Sequence, residues 1–243
     1  MQMLRSISEA DMATRFPTLF RKSLILFAFA ATLGGGALVA APAGTNWLLN
    51  FSLTPKGSHV IGNPAAATKL VEYASYTCGH CAHFEATDVP QIKKQFVATG
   101  RVSFEIRNLV RDPLDLTAAM LARCGGKGRF FGNHRQLMAT QAQWAQGSKL
   151  SKATIAHLEG GRTMQFMLGA YGELGLDTIM AQRGVTVTQG KACLSNKAAF
   201  DAVIAMTDEA TEKLNINGTP TLLVNGKIID GHDYATVKTY LTP

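Results

Sequence analysis

The 243-residue chain has only four cysteines and two tryptophans, and charged residues make up just 17% of it. Several absences remove whole classes of function. No stretch interleaves basic and aromatic side chains, so the net charge of +7 is scattered rather than gathered into a nucleic-acid surface. No glycine-rich phosphate loop is present, and no bound organic cofactor is expected. Internal repeats and low-complexity tracts are absent. A hydrophobic fraction of 47% excludes a disordered chain, and 243 residues suffice for one or two compact domains. The cysteines do not supply two adjacent ligand pairs, as a closed zinc site usually does, so no metal is expected.

Charge is also missing from Leu24 to Ala43, a run preceded by Arg15, Arg21 and Lys22. Small residues end it, and Val39-Ala40-Ala41 or Ala41-Pro42-Ala43 suits a signal peptidase. Residues 1–43 therefore read as a signal peptide with an extended start or as a membrane anchor, since a span needs roughly 20 apolar residues. The glycines at 34–36 and the many alanines favour cleavage. No cysteine lies near the small-residue end, which argues against a lipid-anchored lipoprotein. Either reading puts the folded part in an oxidising compartment, the periplasm. Removing residues 1–43 takes away four basic and two acidic residues, leaving about +5 from +7.

What is present is organised around Cys78-Gly79-His80-Cys81. Residues 44–57 read as a linker or leader into the fold, with Trp47, Leu48, Leu49 and Phe51 available for packing. His59–Asn63 reads as a short edge strand and Lys69–Ala74 as a strand leading into the cysteine pair. A helix follows from Ala82 to about Phe96, interrupted near Pro90. Val102–Arg107 alternates as a strand does. From Asp115, a natural helix cap, to about Gly190 only helical patterns appear. Lys197–Leu214 is a longer helix with Asp208, Glu209 and Glu212 on its wet face. Thr219–Val224 is a strand, Asn225-Gly226 a hairpin turn and Asp233–Leu241 a last helix.

Two thiols two residues apart at a helix start can close into a disulfide and reopen. The free N–H groups and partial positive charge of the helix start favour the thiolate, the species that attacks disulfides. Cys78, first in the motif, is the expected nucleophile, nearer solvent than Cys81. Cys81, one turn on, would resolve the mixed disulfide. His80 is the side chain expected to stabilise the Cys78 thiolate by donating to it or, when charged, attracting it. The bland alternatives are an inert staple or part of a metal site built from Cys78, Cys81 and His83. His59, His134, His157 and His232 read as surface or packing residues.

The order strand, helix, strand, helical block, strand, strand, helix is a thioredoxin-type α/β layout with a helical insertion at about 111–190. Over residues 58–243 the chain resembles the DsbA family of secreted disulfide oxidoreductases. The resemblance rests on the CxxC at a strand-to-helix junction, on Glu72 six residues before Cys78, and on Gly218-Thr219-Pro220 ahead of a strand. It rests also on the helical insertion and on the run 107–117 that leads into it. It implies a cis Thr219–Pro220 bond facing the CxxC. The Thr219 backbone would then pair with an extended substrate chain. A strand-initiating proline is the plain alternative. It implies that Glu72 is a buried acid beneath the thiols, exchanging a proton with Cys81. Strand alternation equally permits a solvent-facing glutamate. It implies as partners folding secreted proteins with free thiols and a quinone-linked, DsbB-like membrane protein that reoxidises the pair. A disulfide isomerase or reductase on the same scaffold is the nearest rival. No dimerisation module precedes Ser58, and a monomer is expected. A copper or zinc metallochaperone is a more distant alternative.

Cys124 and Cys193 remain. In an oxidising compartment two leftover thiols most simply pair, as a structural disulfide closing a loop of about 70 residues. Two free buried thiols are the alternative.

Overall fold

A computed structural model describes residues 44–242. The expected leader, residues 1–43, lies outside the described residues. Among the described residues no helix is long and apolar enough to cross a membrane.

The chain builds one six-stranded sheet in the order β1-β2-β4-β3-β5-β6. The strands are β1 (Phe51–Leu53), β2 (His59–Gly62), β3 (Thr68–Ala74), β4 (Val102–Asn108), β5 (Thr221–Val224) and β6 (Lys227–Ile228). Only β3 and β4 run parallel; the other neighbours are antiparallel. The parallel pair needs a crossover. It is made by α1 (Gly79–Thr87), α2 (Val89–Ile92) and a wide turn at Lys93–Val97. Pro90, in the first turn of α2, has no N–H to continue α1, so the helix breaks at Asp88.

β3 is the strand that positions everything else. It lies between β4 and β5, and Leu70 to Ala74 are all buried. Successive side chains take opposite faces. Val71 and Tyr73 pack with Ala210, Ile216 and Leu223 on one side. Leu70 and Ala74 join Phe84, Ile92 and Phe104 in the main core on the other. Glu72, between Leu70 and Ala74 in the alternation, therefore shares their face.

From β4 to β5 the chain is helical: α3 (Pro113–Ala122), α4 (Lys127–Ala139), α5 (Gln141–Trp144), α6 (Lys152–Glu159), α7 (Thr163–Glu173), α8 (Leu176–Ala181), α9 (Val187–Leu194) and α10 (Lys197–Asp208). Phe130, Trp144, Phe166 and Tyr171 fill this block and continue the main core. Asn225 and Gly226, with φ of 50° and 81°, make the hairpin turn between β5 and β6. Helix α11 (Tyr234–Leu241) returns Val237 and Leu241 to the core.

Four expectations are corrected. Residues 44–57 are not a linker. Trp47–Leu49 forms a helical turn, and β1 pairs with β2 from Phe51↔Ile61 to Leu53↔His59. The Trp47 ring lies against Gly100 (φ 76°), where a side chain would collide with it. Consequently β2 is an inner strand and β1 holds the edge. The cap of α3 is Asp112, which accepts from the N–H of Leu114 and Asp115, both at 2.9 Å; Asp115 sits one turn inside. Glu209 is not on a wet face: it is half-buried, accepts from Lys56 at 2.8 Å and lies 3.5 Å from Arg107 of the inner strand β4.

Candidate active site

β3 ends at Ala74, and the turn Ser75–Thr77 delivers Cys78 to the N-cap of α1. The Cys78 side chain does not cap the helix itself, and the Cys78 carbonyl accepts the first helical bond, from Ala82 at 3.2 Å. Three side chains of the helical block hold this turn. Asp112 accepts from the Thr77 hydroxyl at 2.6 Å, and Asp115 accepts from the Tyr76 N–H at 2.7 Å. The Gln141 amide donates to the carbonyls of Tyr76 and Cys78 at 2.7 and 3.0 Å. Asp115 is fully buried, and burial pushes its carboxyl up to about 7 against the backbone N–H groups that favour its charge.

Cys78 and Cys81 are free thiols in unequal surroundings. Cys78 is 4% exposed and Cys81 is sealed at 0%. Cys78 is thus nearer solvent, but by a narrow margin: only an edge of the residue is reachable. A hydrogen bond from the Cys81 thiol is the largest influence on Cys78, followed by the opposing effect of burial. The N–H groups of Cys81 and His80 reinforce the lowering, and the Cys78 thiol falls from 9.0 to about 4. Cys81 is driven far the other way, first by its bond to Cys78, then by burial and the Glu72 charge.

Opposite the pair stands the loop before β5. The Thr219–Pro220 bond is cis, and the Cys78 thiol donates to the Thr219 carbonyl at 3.1 Å. Pro220 is buried and Thr219 half-buried, and the Thr219 hydroxyl is buried without a partner.

Glu72 lies beneath this arrangement with no exposed surface, and neither carboxylate oxygen has a hydrogen-bond partner. Burial, then the nearby Glu85 charge, push its carboxyl well above the ordinary range. The solvent-facing alternative for Glu72 is not what the fold does. β3 is covered on both faces, so alternation there does not separate wet from dry.

His80 is placed differently from the sequence reading. Its ring is exposed, 5.9 Å from that of His232. The part of His80 that acts on the Cys78 sulfur is its backbone N–H. Cys124 and Cys193 are bonded to each other, with Cα atoms 5.7 Å apart. Among the described residues no three His, Cys, Asp or Glu side chains converge as a metal site, the set Cys78, Cys81 and His83 included.

Sequence reasoning missed Glu85, Lys93, His134 and Gln141. Glu85 is 4% exposed, with Lys93 3.6 Å from Oε1 and His134 3.5 Å from Oε2. A signal for Glu85 did exist, since it follows Cys81 by four residues and so shares its helix face. The other three come from elsewhere in the fold and left none.

The sheet order, the helix that starts at the thiol pair and the loop facing it define a protein of the thioredoxin-fold class. The thioredoxin family model matches residues 54–242, and the chain belongs to that family. Among its relatives, a protein of Rickettsia typhi named as a candidate protein-disulfide oxidoreductase is 30% identical over 69% of this chain and 54% of its own length. A similarly named Rickettsia conorii protein is 29% identical over 74% of this chain and 57% of its own. The chain thus spans a little over half the length of these two relatives. Among solved structures, a protein-disulfide isomerase from Novosphingobium aromaticivorans aligns with a TM-score of 0.70 at 36% identity, covering 76% of this chain and 98% of that one. The alpha-DsbA1 of Wolbachia pipientis aligns with a TM-score of 0.61 at 22% identity, covering 78% and 91%, a likeness of fold.

Proposed function

We propose that this protein is a thiol:disulfide oxidoreductase of the DsbA kind, donating the Cys78–Cys81 disulfide to folding proteins in the periplasm. The observation that carries the reading is the asymmetry of the pair. One sulfur is stabilised as thiolate at a helix start and the other is kept as a thiol above a buried acid. A substrate thiolate attacks Cys78 Sγ, and the Cys78–Cys81 bond breaks with its electron pair going to Cys81. Glu72 gives its proton to the Cys81 thiolate. A second substrate thiolate then attacks the substrate sulfur of the mixed disulfide, and Cys78 leaves as thiolate. The substrate has lost two electrons and the pair has gained them. Stabilising the reduced form in this way makes the disulfide a strong oxidant. The Thr219 backbone would hold the substrate chain as an added strand, and a quinone-linked, DsbB-like membrane protein would restore the disulfide.

One observation favours a second reading. The Novosphingobium protein, at 36% identity, carries the name of an isomerase. Equilibration with glutathione separates the two. A donor should have a potential near about −120 mV, and an isomerase near about −180 mV. A value near about −270 mV, that of a reducing thioredoxin, overturns the donor reading. The proton step has its own check. Glu72→Gln should slow exchange above neutral pH without unfolding the protein, and unchanged kinetics across pH would remove Glu72 from the reaction.

A further inference from the structure

The buried polar side chains behind the thiols include one that the reaction above does not use. His134 lies on α4, in the helical block, with no exposed surface. Its Nδ1 is 2.9 Å from the Tyr76 hydroxyl and its Nε2 is 3.5 Å from Glu85 Oε2. In the tautomer that accepts from the phenol at Nδ1, Nε2 carries the ring proton on the Glu85 side, at 3.5 Å and without a hydrogen bond. Lys93 lies 3.6 Å from the other Glu85 oxygen. Glu85 thus has a basic side chain at ion-pair distance on each side, Lys93 and His134, without a hydrogen bond to either, whereas neither oxygen of Glu72 has a partner. Two carboxylates that feel each other in an apolar core do not both ionise readily. The negative charge settles on the one with partners, and the proton on the one without.

We propose that His134 is a positioning residue for thiol–disulfide exchange: by fixing the charge of the carboxylate pair on Glu85, it keeps the proton on Glu72, ready for Cys81. The inference rests on the reading of Glu72 given above and adds that the helical block sets the readiness of that proton. Burial alone would push Glu85 upward, yet the His134 and Lys93 contacts hold it below the ordinary carboxylate value. Other charged or titratable groups face the cluster but have their own partners. Asp115, from α3, is occupied by the N–H groups of Tyr76 and Arg111. Arg123, at the end of α3, is bound to Asn108 and to the Gly57 carbonyl, and His59, from β2, stacks on Phe130. Cys78 and Cys81 are the sulfurs being served.

The test is an infrared titration of the protonated-carboxyl band in the reduced full chain, assigned to Glu72 by its loss in Glu72→Gln. In His134→Phe the band midpoint should fall by about one pH unit, a tenfold loss of proton affinity. His134→Gln, which keeps a polar group for Tyr76, guards against a variant that does not fold and should shift the midpoint the same way. Glu85→Gln should shift it in that direction at least as far, because it removes the neighbouring charge outright. Adding His134→Phe to Glu85→Gln should then change nothing further. An unmoved midpoint in both His134 variants, with only a lower melting temperature, reduces His134 to packing and overturns the proposal. So does a midpoint that rises. A band that survives in Glu72→Gln removes the Glu72 reading itself, and this inference with it.

Discussion

The molecule carries two cysteine pairs, and they sit at opposite ends of helices. Cys78 occupies the N-cap position of α1, where the N–H groups of His80 and Cys81 act on its sulfur. Cys193 lies in the last turn of α9, and Cys124 follows the end of α3, beside carbonyl groups and the negative pole of each helix. The first location favours a thiolate and the second disfavours it. Sequence separation differs as sharply. Two residues lie between Cys78 and Cys81, so their disulfide constrains almost no chain, whereas Cys124 and Cys193 are 69 positions apart. On the proposed function, the first pair would change state with little effect on the chain, and the second would restrict the unfolded chain. The difference between them lies in helix polarity and loop length.

Titration should show the largest contrast. Absorbance at 240 nm should report a Cys78 thiolate down to about pH 4, some 10⁵-fold more acidic than a thiol at 9.0. Cys193 in a Cys124→Ser variant should show no such acidity, and a midpoint as low as that of Cys78 would break the helix-polarity argument. The folded value of Cys78 is depressed, so its stabilisation of the reduced protein is complete above about pH 9 and is lost as pH falls through about 4. Unfolding of the reduced and oxidised forms at pH 7 and pH 4 should show that loss. Next in size, Cys78→Ser should abolish exchange by at least about 10³-fold, while Cys81→Ser should accumulate a mixed disulfide visible by non-reducing mass analysis. Replacing Cys124 and Cys193 by serine should lower the unfolding free energy by on the order of 4 kcal/mol and leave the Cys78 titration where it was. A changed titration would show the two pairs to be coupled. Smallest is Gln141→Ala. Loss of its two bonds to the turn before α1 should cost about 1–2 kcal/mol and slow exchange modestly, measured by denaturant unfolding and by the glutathione reaction. No effect on either would mean that the helical block does not brace the redox pair.

How much of this was legible follows from the range of each interaction. The CxxC, its strand and its helix lie within about thirty consecutive residues, so spacing and periodicity expose them. β1 was read as linker because three strand residues between a glycine-bounded start and a Thr-Pro-Lys-Gly turn leave too short a pattern; the free edge of β2 makes them a strand. Asp115 was read as a cap because Asp112 is followed by a proline, which is a good first helical residue but interrupts the apolar pattern. His80 drew attention because it lies between the cysteines. At the start of a helix, however, the backbone N–H groups point at the sulfur while this side chain turns to solvent. His134 and Gln141 lie 53 and 60 positions after Cys81, and no local pattern connects them to it.

The amino-acid sequence by itself determined the chemistry on offer: a close thiol pair at a helix start, two further cysteines far apart, an acid on the preceding strand and a Thr-Pro ahead of the next. Those are matters of covalent spacing and backbone period, which act over a few residues. The tertiary structure decided how far the Cys78 thiol is lowered, that Glu72 is sealed without a partner while Glu85 lies between Lys93 and His134, and that the Thr219 loop stands against Cys78. Desolvation and Coulomb interaction depend on distance through space. Only a folded sheet with its helical block in place brings Glu72, Glu85, Lys93 and His134 close enough to influence one another's charge.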